Sequence, residues 1–249
     1  MNSKRLHLFL PAIAILAVGP GICGAAPADI RAKIREATRS FKDITLTAKV
    51  VYANQKELKK IGKDFPKSYE FKTTTIRYKA PDKMRVEGKL GMVKVVIIMN
   101  GGRKAYRVPA LHIGKKEDIR DKPHKRQTDI DIGIATDRLW HDYVVRGTAA
   151  EKTPSGEVYR ITFVRTNARE KNHVCWVDAK TLKLLKLDKY ESDGSLKSRY
   201  LYSNHKHIGG TVWVPGRIEV YNQDGKLAGV TAYQNIRVNT GIPDSEFKI

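Results

Sequence analysis

The chain has few cysteines and no long apolar run, and both absences exclude whole classes of protein. Of its 249 residues only Cys23 and Cys175 are cysteines. Cys23 falls in a stretch that reads as a removable leader, which leaves one thiol and no internal disulfide. A bilayer-spanning helix needs roughly 20 consecutive apolar residues; the run from Leu6 to Val18 is shorter and is interrupted by Pro11. Acidic residues are scarce, 26 against 47 Lys and Arg, for a net charge of +21. Catalytic signatures are missing too. There is no glycine-rich phosphate loop, no Gly-x-Ser-x-Gly elbow and no His-Glu-x-x-His helix.

Residues 1–28 have the order of a secretory leader: Lys4 and Arg5, the apolar Leu6–Val18, then small residues from Gly19 to Ala28. Cleavage after Ala25 or after Ala28 suits the pattern, and an uncleaved anchor is the rival reading. Pro20-Gly21-Ile22 before Cys23 lacks the pattern of a lipid-attachment site. The expectation is an exported, periplasmic protein with a cleaved signal peptide and one domain over residues 29–249. Cleavage removes two basic residues and no acid, so the mature charge is +19. Export turns such an excess away from nucleic acid and toward an anionic membrane surface or an acidic envelope partner. A basic surface with no special partner is the alternative.

Ile30, Ile34, Ala37 and Phe41 recur at helical spacing within Ala28–Phe41. From Ile44 the period becomes two, with Ile44, Leu46, Ala48, Val50 and Tyr52 on one face of a strand. Ala53–Ser68 is polar and lysine-rich and reads as a loop. Strands follow around Tyr69–Tyr78, Met84–Val86, Val93–Met99 and Lys104–Val108, the last two joined by Asn100-Gly101-Gly102, a hairpin signal. Pro109–Thr128 reads as a solvated loop and Ile130–Tyr143 as a helix weakened by Gly133. Strands return at Val158–Val164, Val174–Val177, Leu182–Tyr190, Ser198–Asn204, Thr211–Val220 and Leu227–Val238. Asp193-Gly194 and Asp224-Gly225 stand between strands as tight-turn signals. The pattern predicts an antiparallel meander with one helix at the start and another near the middle.

His205-x-His207 and His173-x-Cys175 each place two metal-type ligands on one side of a strand. Each also reads as an ordinary strand position, and no metal or other cofactor is expected. Changing His173, His205 or His207 is expected to be silent. Aromatic residues interleave with cations in Arg77-Tyr78-Lys79 and Arg199-Tyr200-Leu201-Tyr202. Half-buried strands with rings inside and cations outside account for this better than base stacking does. The inward positions Leu46, Val50, Tyr52, Phe71 and Tyr78, then Met84, Val86, Ile97 and Met99, are generously apolar, with Trp140 near them on the middle helix. Two modest helices either pack over these residues solidly or leave a cavity, and methionines would make its lining adaptable.

The segment Ile76-Arg77-Tyr78-Lys79-Ala80-Pro81-Asp82-Lys83-Met84-Arg85, followed by Asn100-Gly101-Gly102, resembles the front half of the outer-membrane lipoprotein carrier and sorting superfamily, the LolA-like proteins. Cys175-Trp176-Val177-Asp178 with Leu184–Tyr190 and Asp193-Gly194 resembles its back half. Val214-Pro215-Gly216-Arg217-Ile218-Glu219-Val220, Val238-Asn239 and Ile242-Pro243-Asp244-Ser245-Glu246-Phe247 resemble its ending. The resemblance runs from the first helix to Phe247. It implies an α+β fold: a strongly curved antiparallel sheet, an unclosed β-barrel, with a helical lid. It also implies a monomeric, non-catalytic periplasmic carrier that holds the acyl chains of a lipoprotein or lipid in an apolar cavity. One position departs. The carriers place an arginine, which tethers the lid, immediately before the proline where this chain has Ala80; Arg85 is close by but not at the matching place. An envelope-sensing or structural module of the same fold, binding a protein or polysaccharide, is the alternative function, and a hydrolase the third.

Overall fold

The computed structural model describes residues 30–122, 125–165 and 172–249. The leader expectation therefore lies outside the described residues. Among them no helix is long and apolar enough to cross a membrane.

The chain opens with α1 (Ile30–Thr38), whose Ile30 and Ile34 are buried. Phe41 just beyond it is buried too, and the outward Arg35 and Arg39 keep the other side in water. Thirteen strands then build one antiparallel sheet. The first six are β1 (Asp43–Ala53), β2 (Thr73–Lys79), β3 (Lys83–Leu90), β4 (Val93–Asn100), β5 (Arg103–Val108) and β6 (Ile113–Asp118). They run as a meander to one edge. From the other edge come β7 (Tyr143–Thr153), β8 (Gly156–Arg165), β9 (Asn172–Asp178), β10 (Leu184–Tyr190) and β11 (Leu196–Ser203). A small separate ladder, β12 (Lys206–Ile208) with β13 (Val212–Val214), precedes β14 (Arg217–Asn222) and β15 (Leu227–Val238). The strand order is β6-β5-β4-β3-β2-β1-β15-β14-β11-β10-β9-β8-β7. β15 lies against β1 and joins the halves, while β6 and β7 remain as two edges, so the curved sheet does not close.

The concave side carries the main core. Ile44, Leu46 and Ala48 of β1 point into it with Ile161, Phe163, Cys175 and Leu187 from the far half. They meet Ile130, Ile132, Ile134 and Leu139, which come from a short plug that replaces the expected 130–143 helix. The plug is a 3-10 turn at Asp129–Ile132 and a single turn, α4 (Leu139–Asp142). Gly133, at φ 86°, breaks the helix between them. A reciprocal cap at Thr128 and Asp131 starts the 3-10 turn.

Three further expectations need correction. Ala53–Ser68 contains α2 (Gln55–Ile61) and α3 (Phe65–Ser68). The Asn54 side chain caps α2 by accepting from the Glu57 N–H, and Leu58 and Ile61 turn inward while lysines cover the outside. Pro109–Thr128 contains the edge strand β6, whose polarity reflects exposure on both faces. Thr211–Val220 breaks into β13 and β14 at Pro215-Gly216. The Asp193-Gly194 and Asp224-Gly225 turns form as expected, with both glycines at positive φ.

β4 is apolar on both faces. Val96 and Ile98 point to the convex side, where Ile242 and Phe247 of the C-terminal segment cover them. That segment is held by cations. Lys79 and Lys83 reach Asp244 at 2.7 and 2.9 Å, and Arg85 donates to the Glu246 carbonyl at 2.9 Å. The buried Asp43 accepts from the Thr240 and Gly241 N–H groups at 2.8 and 3.0 Å. Arg85 therefore serves the convex face and does not latch the lid.

Candidate functional site

The concave side is hollow where β1–β4 face β11, β14 and β15. Two adjoining compartments of about 250 and 240 Å³ share Ser68, Phe71, Thr74, Ile76, Asp131 and Tyr233. The first extends over Met84, Val86, Val95 and Ile97 beneath Ile132 of the plug. The second extends over Val50, Tyr69, Tyr200, Tyr202 and Ile218. Neither is lined by β7–β10, where side chains such as Tyr143 and Phe163, with ring centroids 4.9 Å apart, fill the interior. Ligand cavities commonly measure ~300–1,000 Å³, so the two compartments together are large enough for an extended hydrocarbon chain.

Burial pushes the phenols of Tyr69, Tyr202 and Tyr233 well up, so these rings are neutral walls. Among the described residues Asp131 is the one acid facing both compartments, and it is occupied. Its Oδ1 accepts from Lys189 of β10 at 3.0 Å and its Oδ2 from the Thr128 N–H at 3.0 Å. Burial opposes the charge on Lys189, but Asp131 together with the nearby Tyr200 and Tyr143 outweighs this and raises the ammonium pKa. The pair ties the plug to the sheet. On the other side of the plug Asp137 pairs with Arg31 of α1 at 2.6 Å. These contacts hold the lid without an arginine at position 80.

Of the residues singled out from sequence, Phe71, Met84, Val86 and Ile97 meet in the first compartment, and Val50 joins Phe71 in the second. Leu46 and Met99 are buried in the packed core, and Trp140 packs half-buried against it. Tyr78 stacks on Phe41 and lines a polar recess with Arg35, Arg138 and Asp129. Tyr52 stands outside, 42% exposed. The ladder is irregular between Val50 and Tyr52, and this ends the inward alternation before the tyrosine. The rings of Tyr200 and Tyr202 lie inside as the sequence suggests, but nothing in it marks them, or Tyr233, as cavity walls. Which inward positions stay uncovered depends on the plug. His205 bonds the Leu184 carbonyl at 2.8 Å, and His207 stacks on Trp213.

Residues 128–249 match a family described only as "Uncharacterized protein". No curated protein matches the sequence. Three solved structures are similar across nearly the whole chain. A LolA superfamily protein from Nitrosomonas europaea aligns with a TM-score of 0.62 at 15% identity, covering 91% of this chain and 99% of its own. The fold is LolA-like. A candidate outer membrane lipoprotein-sorting protein domain from Vibrio parahaemolyticus gives 0.59 at 15% identity, covering 88% and 93%. A DUF1329 family protein from Desulfovibrio piger gives 0.54 at 15% identity, covering 88% and 95%. The LolA-like sheet is thus the shared element, and the cavity lies on its concave side.

Proposed function

We propose that this protein is a non-catalytic periplasmic carrier, exported by its first 28 residues, that shelters the acyl chains of a lipoprotein or lipid within a single domain over 29–249. The observation that carries the proposal is the divided apolar cavity under the plug. Each buried methylene contributes ~0.8 kcal/mol, so ten contribute roughly 8 kcal/mol before the cost of association. The sorting-domain likeness supports the same reading. The basic surface draws the carrier to anionic membranes or an acidic partner, and a monomer suffices because the cavity lies within one chain.

Native mass spectrometry of the purified protein should show co-purifying lipid, and a fluorescent fatty acid should bind saturably. Val86→Trp fills the first compartment and should weaken that binding about tenfold or more, the scale of two lost methylenes. A protein that carries no lipid and leaves the probe unbound ends the carrier proposal in favour of an interaction module.

A further inference from the structure

β2 and β3 stop pairing at Thr74 and Gly88. Beyond that point they have different partners. β3 continues beside β4 through Lys89–Lys94 and Leu90–Val93. The start of β2 stays with β1, where Thr73 faces Lys49 and the Lys72 carbonyl accepts from the Val50 N–H at 2.9 Å. The strands splay, and a notch of about 630 Å³ opens on the outer side, lined by Lys72, Thr73, Glu87, Lys89 and Lys94 with Gly88 and Glu70. Gly88 also lines the first compartment, beside Phe71 and Thr74. A Cβ at Gly88 would sit 2.8 Å from both Phe71 Cδ1 and Thr74 Cγ2. Only a residue without a side chain leaves the apex of the notch this thin.

The notch is electropositive. Glu87 is already held by Arg85 at 2.6 Å, Arg77 at 3.4 Å and Lys94 at 3.5 Å. Lys72 and Lys89 are exposed and form no ion pair among the described residues. Glu70 is the one acid left opposite them. Two unpaired ammonium groups, with Lys94 beside them shared with Glu87, suit a compact anion with several acceptor oxygens.

Building on the carrier reading, we propose that this notch is the portal to the cavity and that Lys72, Lys89 and Lys94 hold the phosphate-bearing head of a lipid whose acyl chain passes Gly88 and Phe71 into the first compartment. The cargo is then an anionic phospholipid.

The test uses the full chain and two probes with the same pyrene-labelled acyl chain, phosphatidylglycerol and phosphatidylcholine. The protein should bind phosphatidylglycerol about tenfold more tightly, the scale of one charge-assisted contact. Lys72→Glu with Lys89→Glu should abolish that preference and leave the melting temperature unchanged. Lys115→Glu with Lys116→Glu makes the same charge change on β6, away from the notch, and should keep the preference. Gly88→Val should slow uptake of both probes. Equal binding of the two probes, an insensitive Lys72/Lys89 variant, or an equal loss in the β6 variant overturns the portal while leaving the carrier reading standing. Saturable binding of inorganic phosphate alone overturns the lipid-head assignment. Failure of both probes to bind removes the portal, and the carrier reading falls with it only where the fluorescent fatty acid also stays unbound.

Discussion

Asp129 sits at the start of the plug with its carboxyl enclosed, accepting from the Thr136 hydroxyl and from the Ile130 N–H at 3.0 Å. Burial outweighs these bonds and pushes its pKa up to about 7, from an ordinary 3.8. The folded protein therefore keeps a proton on this group up to near neutrality, whereas the unfolded chain releases it near pH 4. Between those values the folded state binds more protons, so stability falls as pH rises, by ~1.4 kcal/mol per pH unit from this group alone. Its contribution is fully present below the unfolded pKa and is gone once the pH passes about 7. Asp129→Asn removes the titration while keeping an acceptor for one of the two donors. Urea unfolding at several pH values between 4.5 and 8 should show a flatter stability profile in the variant. Parallel profiles for the two proteins would mean that Asp129 is ionised in the fold across this range.

The C-terminal turn illustrates how much a single element owes to a distant one. Val93–Met99 is legible in the sequence as a short apolar run, but half of it needs a cover on the convex face, and that cover arrives from Ile242 and Phe247. Phe247 is fully buried there. Phe247→Ala should cost ~3–5 kcal/mol, the range for deleting an enclosed aromatic ring. The loss should appear as a lower urea midpoint, and a loss under ~1 kcal/mol would show that the turn is not a structural clamp. The same non-locality separates what the sequence reveals from what it hides. β1 and β8 are legible because alternate residues meet the core, Ile44, Leu46 and Ala48 in one and Tyr159, Ile161 and Phe163 in the other, which writes a period of two into the chain. α2 is hidden because Leu58 and Ile61 are its only inward apolar pair and lysines dominate its seven residues. β6 is hidden because an edge strand exposed on both faces carries no alternation at all. The site divides in the same way. Phe71, Met84, Val86 and Ile97 could be picked as inward-facing, but that Leu46 and Met99 are packed while these four border open space is decided by where Ile132 of the plug comes down. That placement depends on the break at Gly133, which the sequence does mark, and on the Asp131–Lys189 pair across the sheet, which has no local signature.

At the scale of the molecule the LolA-like sheet has a filled end and a hollow one. Under β7–β10 the interior is occupied by the chain's own rings, and Phe163, Ile161 and Cys175 are completely buried. Toward β1–β4 the inward side chains border open volume, and the roof is a four-residue 3-10 turn held by a few polar contacts. Local opening follows contact density and is therefore easiest where the roof spans empty space. Bound hydrocarbon would supply the missing contacts there and leave the filled end unaltered, so stabilisation by ligand should be regional at times too short for global unfolding. Hydrogen exchange followed by mass spectrometry, with and without a saturating fatty acid, should show added protection in residues 68–76, 84–97 and 127–133, and little change in β8 and β9. If the added protection were uniform, or largest in β8 and β9, the hydrocarbon would have to act elsewhere than under the plug. The cavity would then be a packing defect of an otherwise solid fold, and the basic surface would become the feature to pursue.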